Sequence, residues 1–118
     1  MKKYRIWTRL YRASCNSLDG LARAFKGEQA FQLETIVLVV LLIVLSTIRL
    51  PAFQSILFVG AWLSVMALEL VNSAVEQAFD LICKDFNLKI KAGKDMLSAA
   101  VCLLILFNVL LWGTFLLS

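Results

Sequence analysis

The sequence predicts an all-α membrane protein, with an N-terminal amphipathic surface helix followed by three transmembrane helices. Three observations carry that prediction. Apolar residues make up 61% of the 118-residue chain and charged residues 17%, against roughly 45–50% and about 25% in soluble domains. The apolar residues gather into three charge-free stretches, 35–48, 50–68 and 96–118. The charges gather between and before them. A chain this short cannot enclose so much apolar surface in one core, so lipid or further subunits must cover the excess.

Residues 1–28 are basic and too polar to span. Tyr4, Trp7, Tyr11, Leu18, Leu21 and Phe25 recur near the helical period, with Lys, Arg, Ser and Asn opposite. Such a helix lies in the membrane interface, its aromatic rings at headgroup level and its cations near anionic lipid. Gly20 and Gly27 are the expected breaks or bends. The polar stretch is too long for a cleaved signal peptide, and no small-residue cleavage site follows the first apolar run.

The first charge-free stretch has 14 residues, short of the about 20 a crossing takes. Its helix is therefore expected to begin near Gln29, which puts Glu34 at membrane depth. The whole chain, 1–118, reads as one unit, with crossing helices at about 29–48, 51–82 and 92–117. Pro51 opens the second of these, where its missing N–H does no harm.

The basic residues orient the chain. Seven of twelve precede residue 35, four more (Lys84, Lys89, Lys91, Lys94) lie between the second and third stretches, and only Arg49 lies in the first turn. An excess of Lys and Arg marks the cytoplasmic side. The N-terminus and the 84–94 loop are thus expected in the cytoplasm, and the Arg49–Pro51 turn across the membrane. Cys15, Cys83 and Cys102 have no metal-like spacing and read as small packed hydrophobes. With no histidine, imidazole bases and Ser-His or Cys-His pairs are excluded.

The second crossing helix carries the chemistry. Glu69, Asn72, Glu76 and Asp80 are spaced three, four and four apart, and at about 100° per residue they form one polar stripe. One acid there would read as a seam joining helices. Three acids and an amide on one face read as a site, because carboxylates at a bilayer each need a partner, a metal or a proton. Glu28 and Glu34 approach from the first junction, and Lys94 and Asp95 from the start of the third crossing helix. Paired carboxylates are hard oxygen ligands suited to Mg²⁺, a lysine neutralises phosphate, and a further carboxylate takes a proton from an attacking hydroxyl. Those are the parts for phosphoryl transfer to a lipid alcohol. No phosphate loop accompanies them: five positions before Gly93 stands Leu88, and Asp95 replaces the required Ser or Thr. From residues alone, an acid-lined proton or cation transporter remains equally open, and an assembly subunit with a polar seam is a further, lesser reading. No nucleic-acid partner is expected.

Three blocks resemble the prokaryotic diacylglycerol kinase family: Glu28-x-Ala30-Phe31-x-x-Glu34, Glu69-x-x-Asn72-Ser73-Ala74-Val75-Glu76-x-x-x-Asp80, and Lys94-Asp95-Met96-x-Ser98-Ala99-Ala100-Val101. The resemblance covers essentially the whole chain. It implies a homotrimeric helical bundle in the bacterial cytoplasmic membrane, with composite sites between subunits, phosphorylating diacylglycerol from ATP and Mg²⁺. It implies that Glu69 is the general base and that Glu28 and Glu76 hold the metal on ATP. Lys94 would then contact the phosphates, and Arg9, Ser17, Asn72, Asp80 and Asp95 the nucleotide. Glu34 and Ser98 would lie with Glu69 near the lipid headgroup. Two positions depart from the family pattern: Asn16 stands where an aromatic residue is frequent, and Leu33 where a glutamine is familiar. A related branch phosphorylates undecaprenol with the same motifs, and the first two blocks look more like the diacylglycerol branch.

Overall fold

The computed structural model describes residues 2–118, with side chains from Arg5 onward. Tyr4, counted above on the apolar face, and Lys2 and Lys3, counted among the cations, lie outside the described side chains. The order is α1 (Lys2–Gly27), α2 (Gln29–Ile48), α3 (Ala52–Ile82) and α4 (Leu88–Leu117). The helices α2, α3 and α4 are each long and apolar enough to cross a membrane.

Local chemistry accounts for the boundaries. α1 runs through Gly20 without a break, because a single glycine costs a helix only about 1 kcal/mol. The break falls after Gly27, at Glu28, whose backbone is extended (φ −114°, ψ 109°). The Gln32 side-chain amide closes this corner by donating to the Phe25 carbonyl at 2.7 Å. α2 ends at Arg49, which is left-handed with φ 58°. Pro51 caps α3 from outside the helix, and the first helical residue is Ala52 rather than the proline. α4 begins at Leu88, a turn before the expected residue 92, because the Asn87 side chain accepts from the Lys89 and Ile90 amides. The connection between α3 and α4 thus shortens to five residues, 83–87.

α3 is the central helix, packed on α2 along one side and most extensively on α4 along the other. Two small cores join them. Ala24, Phe31 and Met66 tie the end of α1 to α2 and α3. Leu41, Leu45 and Phe58 form the second core, against Trp112 and Phe115 of α4, with Phe58 and Trp112 ring centroids 4.3 Å apart. Trp62 packs against both cores. Asn108 is the one buried residue of α4. Its amide donates to the Ala61 carbonyl of α3 at 3.1 Å and to the Leu104 carbonyl of its own helix at 2.8 Å. Most other large apolar side chains stay exposed, among them Ile36, Ile43, Phe53, Leu103 and Leu110. That surface suits hydrocarbon. On α1, Trp7, Tyr11 and Leu18 are exposed by 70%, 72% and 68%, as expected of an apolar face that meets the membrane rather than the chain.

Candidate functional site

The polar stripe of α3 faces the junction of α1 and α2. Glu69, Asn72 and Glu76 are half-buried there, as are Glu28 at the corner and Glu34 one and a half turns into α2. The Glu69 carboxylate is near enough to Glu34, Glu28 and Glu76 for their charges to repel, and the Asn72 side chain lies beside it, one turn along α3. Two atoms of this group, Glu34 Oε1 and Asn72 Oδ1, are buried with no hydrogen-bond partner. Among the described residues no Lys or Arg pairs with any of the four glutamates; the ion pairs present are Lys91–Asp95 and Lys94–Asp80. Converging, uncompensated carboxylates with unfilled acceptors are costly for a bundle to retain. Such a group can receive something cationic or hydrogen-bonding.

A turn further along α3, Asp80 accepts from Lys94 of α4 at 3.3 Å. Gly93 makes that approach possible. A Cβ there would stand 2.9 Å from the Phe79 ring, so the glycine, which sequence comparison with phosphate loops left without a role, lets α4 close on α3. Asp95 is held instead by Lys91, one turn back on α4, at 2.8 Å.

A groove of about 530 Å³ runs from α1 to α3 beside the acids. It contains Ser17 and Glu28, both anticipated, and Arg23, Ser73 and Gln77, which were not. The sequence held a signal for it: Ser17, Gly20, Leu21 and Ala24 share one face of α1, Glu28 follows at the corner, and Ser73 and Gln77 share one face of α3. Ser17 is exposed, its hydroxyl donating to the Ala13 carbonyl. Arg9 and Ser98 are also exposed, and among the described residues no hydrogen bond or ion pair joins them to the glutamates. Arg9 lies about 28 Å along α1 from Glu28.

Helix length grades the site by depth. Counting from the ends of the helices beside the Arg49–Pro51 turn, Glu34 lies about 21 Å along α2 and Glu69 about 26 Å along α3. Ser98, counted from Leu117, lies about 29 Å along α4. Glu69 and Ser98 fall just inside a hydrocarbon layer of about 30 Å, Glu34 lies about 9 Å inside it, Asn72 stands at its edge, and Glu76, Asp80, Lys94 and Asp95 reach about 33–42 Å, beyond it. One end of the molecule therefore offers acids at two levels: Glu34 and Glu69 within the hydrocarbon layer on this side of its middle, and a mixed-charge group just outside.

The sequence profile described as "Prokaryotic diacylglycerol kinase" matches residues 15–116. Diacylglycerol kinase of Helicobacter pylori (strain 26695) is 36% identical over 118 residues, covering 98% of this chain and 91% of its own. That of Haemophilus influenzae is 35% identical over 106 residues, covering 90% of each. That of Escherichia coli K12 is 30% identical over 106 residues, covering 90% of this chain and 87% of its own. With its helices, its acidic end and these relatives in agreement, the chain belongs to the prokaryotic diacylglycerol kinase family.

Proposed function

We propose that this protein transfers the γ-phosphoryl group of ATP to the free hydroxyl of sn-1,2-diacylglycerol, forming phosphatidic acid at the cytoplasmic face of the membrane. The observation that carries the reading is the two-level acid cluster. Glu69 sits close to the depth of a lipid's glycerol, Glu34 lies about 5 Å deeper, and Glu76 lies two helical turns outward from Glu69 toward water. A lipid hydroxyl and a water-soluble triphosphate meet only at such a boundary. A proton-coupled transporter would instead need an essential acid near mid-bilayer, and this stripe holds none there.

Glu69 takes the hydroxyl proton as the lipid oxygen bonds to the γ-phosphorus and the bond from that phosphorus to the β–γ bridging oxygen breaks, releasing ADP. Asn72, within reach of Glu69, orients the carboxylate. Lys94, held by Asp80, is placed to meet phosphate charge, and Ser17, Asp95 and the α1–α3 groove flank the nucleotide. Glu34 and Ser98 hold the glycerol end of the lipid.

Glu28 and Glu76 fit a divalent cation: both offer hard oxygen donors, and neither has a cationic partner among the described residues. Those residues form no cluster of three or more metal-binding side chains, so water and substrate phosphates would have to complete the shell of a Mg²⁺ held by the two. Bound there, Mg²⁺ would neutralise phosphate charge. Catalysis otherwise comes from positioning and electrostatics.

We propose further that the enzyme acts as a homotrimer with composite sites. Arg9 is too far along α1 to touch its own chain's glutamates directly, which leaves it open to the site of a neighbouring subunit. The exposed apolar faces of α2 to α4 supply surface for that assembly.

The test separates the two levels. Glu69→Gln should abolish turnover while ATP binding persists, and Glu76→Gln should weaken nucleotide and metal binding as well. Near-normal turnover by Glu69→Gln would remove it as the base.

A further inference from the structure

We infer that Trp62 is a positioning residue for the Glu34–Glu69 pair: its indole N–H holds the Glu34 backbone carbonyl and so fixes where α2 presents the Glu34 carboxylate to Glu69. The inference rests on the lipid-kinase reading above, in which that pair faces the lipid hydroxyl.

Trp62 Nε1 donates to the Glu34 carbonyl at 2.9 Å, across 28 residues of sequence. Among the described residues this is the one side-chain hydrogen bond between α2 and α3. An indole only donates, and a helix carbonyl keeps a second lone pair after its own helical bond, so each group completes the other.

The bond matters because the surrounding contacts are not directional. α2 is largely Val, Leu and Ile, and lipid tails are as apolar as those side chains. Apolar packing alone leaves neighbouring registers of α2 on α3 close in energy. Glu34 adds a bias toward slipping, because its Oε1 is buried with no partner and would gain by moving toward water. A directed bond to the backbone of that same residue opposes the slip. Trp62 is itself fixed, packed against both cores, and the next residue back, Ala61, is tied to α4 through Asn108 at 3.1 Å. Glu69 follows two turns along α3 from this anchored point, about 10 Å away. The separation between Glu34 and Glu69 is therefore set at Trp62.

The experiment measures phosphate transfer by purified full-length protein in mixed micelles with Mg-ATP, varying diacylglycerol and ATP separately. Trp62→Phe keeps an aromatic ring and loses the donor. It should lower kcat/KM for the lipid about fivefold, the weight of one hydrogen bond, and leave the KM for ATP unchanged. Trp112→Phe, a loss of indole in the far aromatic cluster, should leave both unchanged. In a Glu34→Gln background, adding Trp62→Phe should change lipid efficiency less than twofold, since the residue it positions is already disabled. If Trp62→Phe does not fold, benzothienylalanine at position 62 replaces N–H by sulfur at nearly constant shape and should give the same results. Full lipid efficiency without the donor, equal losses in both backgrounds, or parallel losses for lipid and ATP would each overturn the inference while leaving the kinase reading intact. A wild-type protein that transfers no phosphate would remove both.

Discussion

Asn108 shows how a single polar residue can hold two helices together without a signal in the sequence. It stands in a charge-free stretch of 23 residues, 96–118, and passes as a tolerated exception. In the structure it is 6% exposed and bonded to the Ala61 carbonyl. Asn108→Leu should therefore destabilise the protein by about 1 kcal/mol, within the range for polar pairs between membrane helices, as measured by unfolding in mixed micelles. Unchanged stability would mean that α3 and α4 are held by packing alone. Glu69, Asn72, Glu76 and Asp80 were legible beforehand because several costly residues repeat at one helical spacing. Asn108 and Trp62 were not, because each acts through a backbone carbonyl on another helix, and nothing in a sequence says which carbonyls come near.

The elements were legible to within about a turn, and their misplacements have local causes. Residue 92 was a poor start for α4 because Asn87 supplies a cap four residues before Lys91. Asn87→Ala should cost about 1 kcal/mol and fray the first turn of α4, visible as faster amide exchange at Lys89 and Ile90. Gly20 was a poor break because one glycine does not end a helix, whereas Glu28 marks a true corner. The Gly93–Phe79 approach belongs at this scale too. Gly93→Ala must push the ring from 2.9 Å and should spread α3 from α4, costing about 1–3 kcal/mol. It should also raise the KM for ATP several-fold by separating Lys94 from Asp80. Gly113→Ala, with open space around it, serves as the control. Equal kinetics for the two variants would detach Lys94 from the nucleotide.

Across the whole molecule, three crossing helices and a surface helix follow from composition and charge placement, since the bilayer leaves few alternatives to a helix. The site does not follow from composition. It needs the α1–α2 corner to bring Glu28 and Glu34 against α3, and the family's motifs to say what the meeting carboxylates do. Orientation is a molecular property open to direct test. Cysteine introduced at Arg49 should react with an impermeant thiol reagent from outside sealed cells, and native Cys83 only after permeabilisation; the reverse pattern would put the acids on the wrong face for ATP. The central claim is the reaction, and phosphate transfer from labelled ATP tests it most directly. Purified protein in mixed micelles with Mg²⁺ would be offered diacylglycerol and undecaprenol in parallel, beside Glu69→Gln. The account predicts phosphatidic acid from the wild type and none from the variant. Transfer to undecaprenol alone would move the protein to the related branch, and transfer to neither by folded protein would contradict the account.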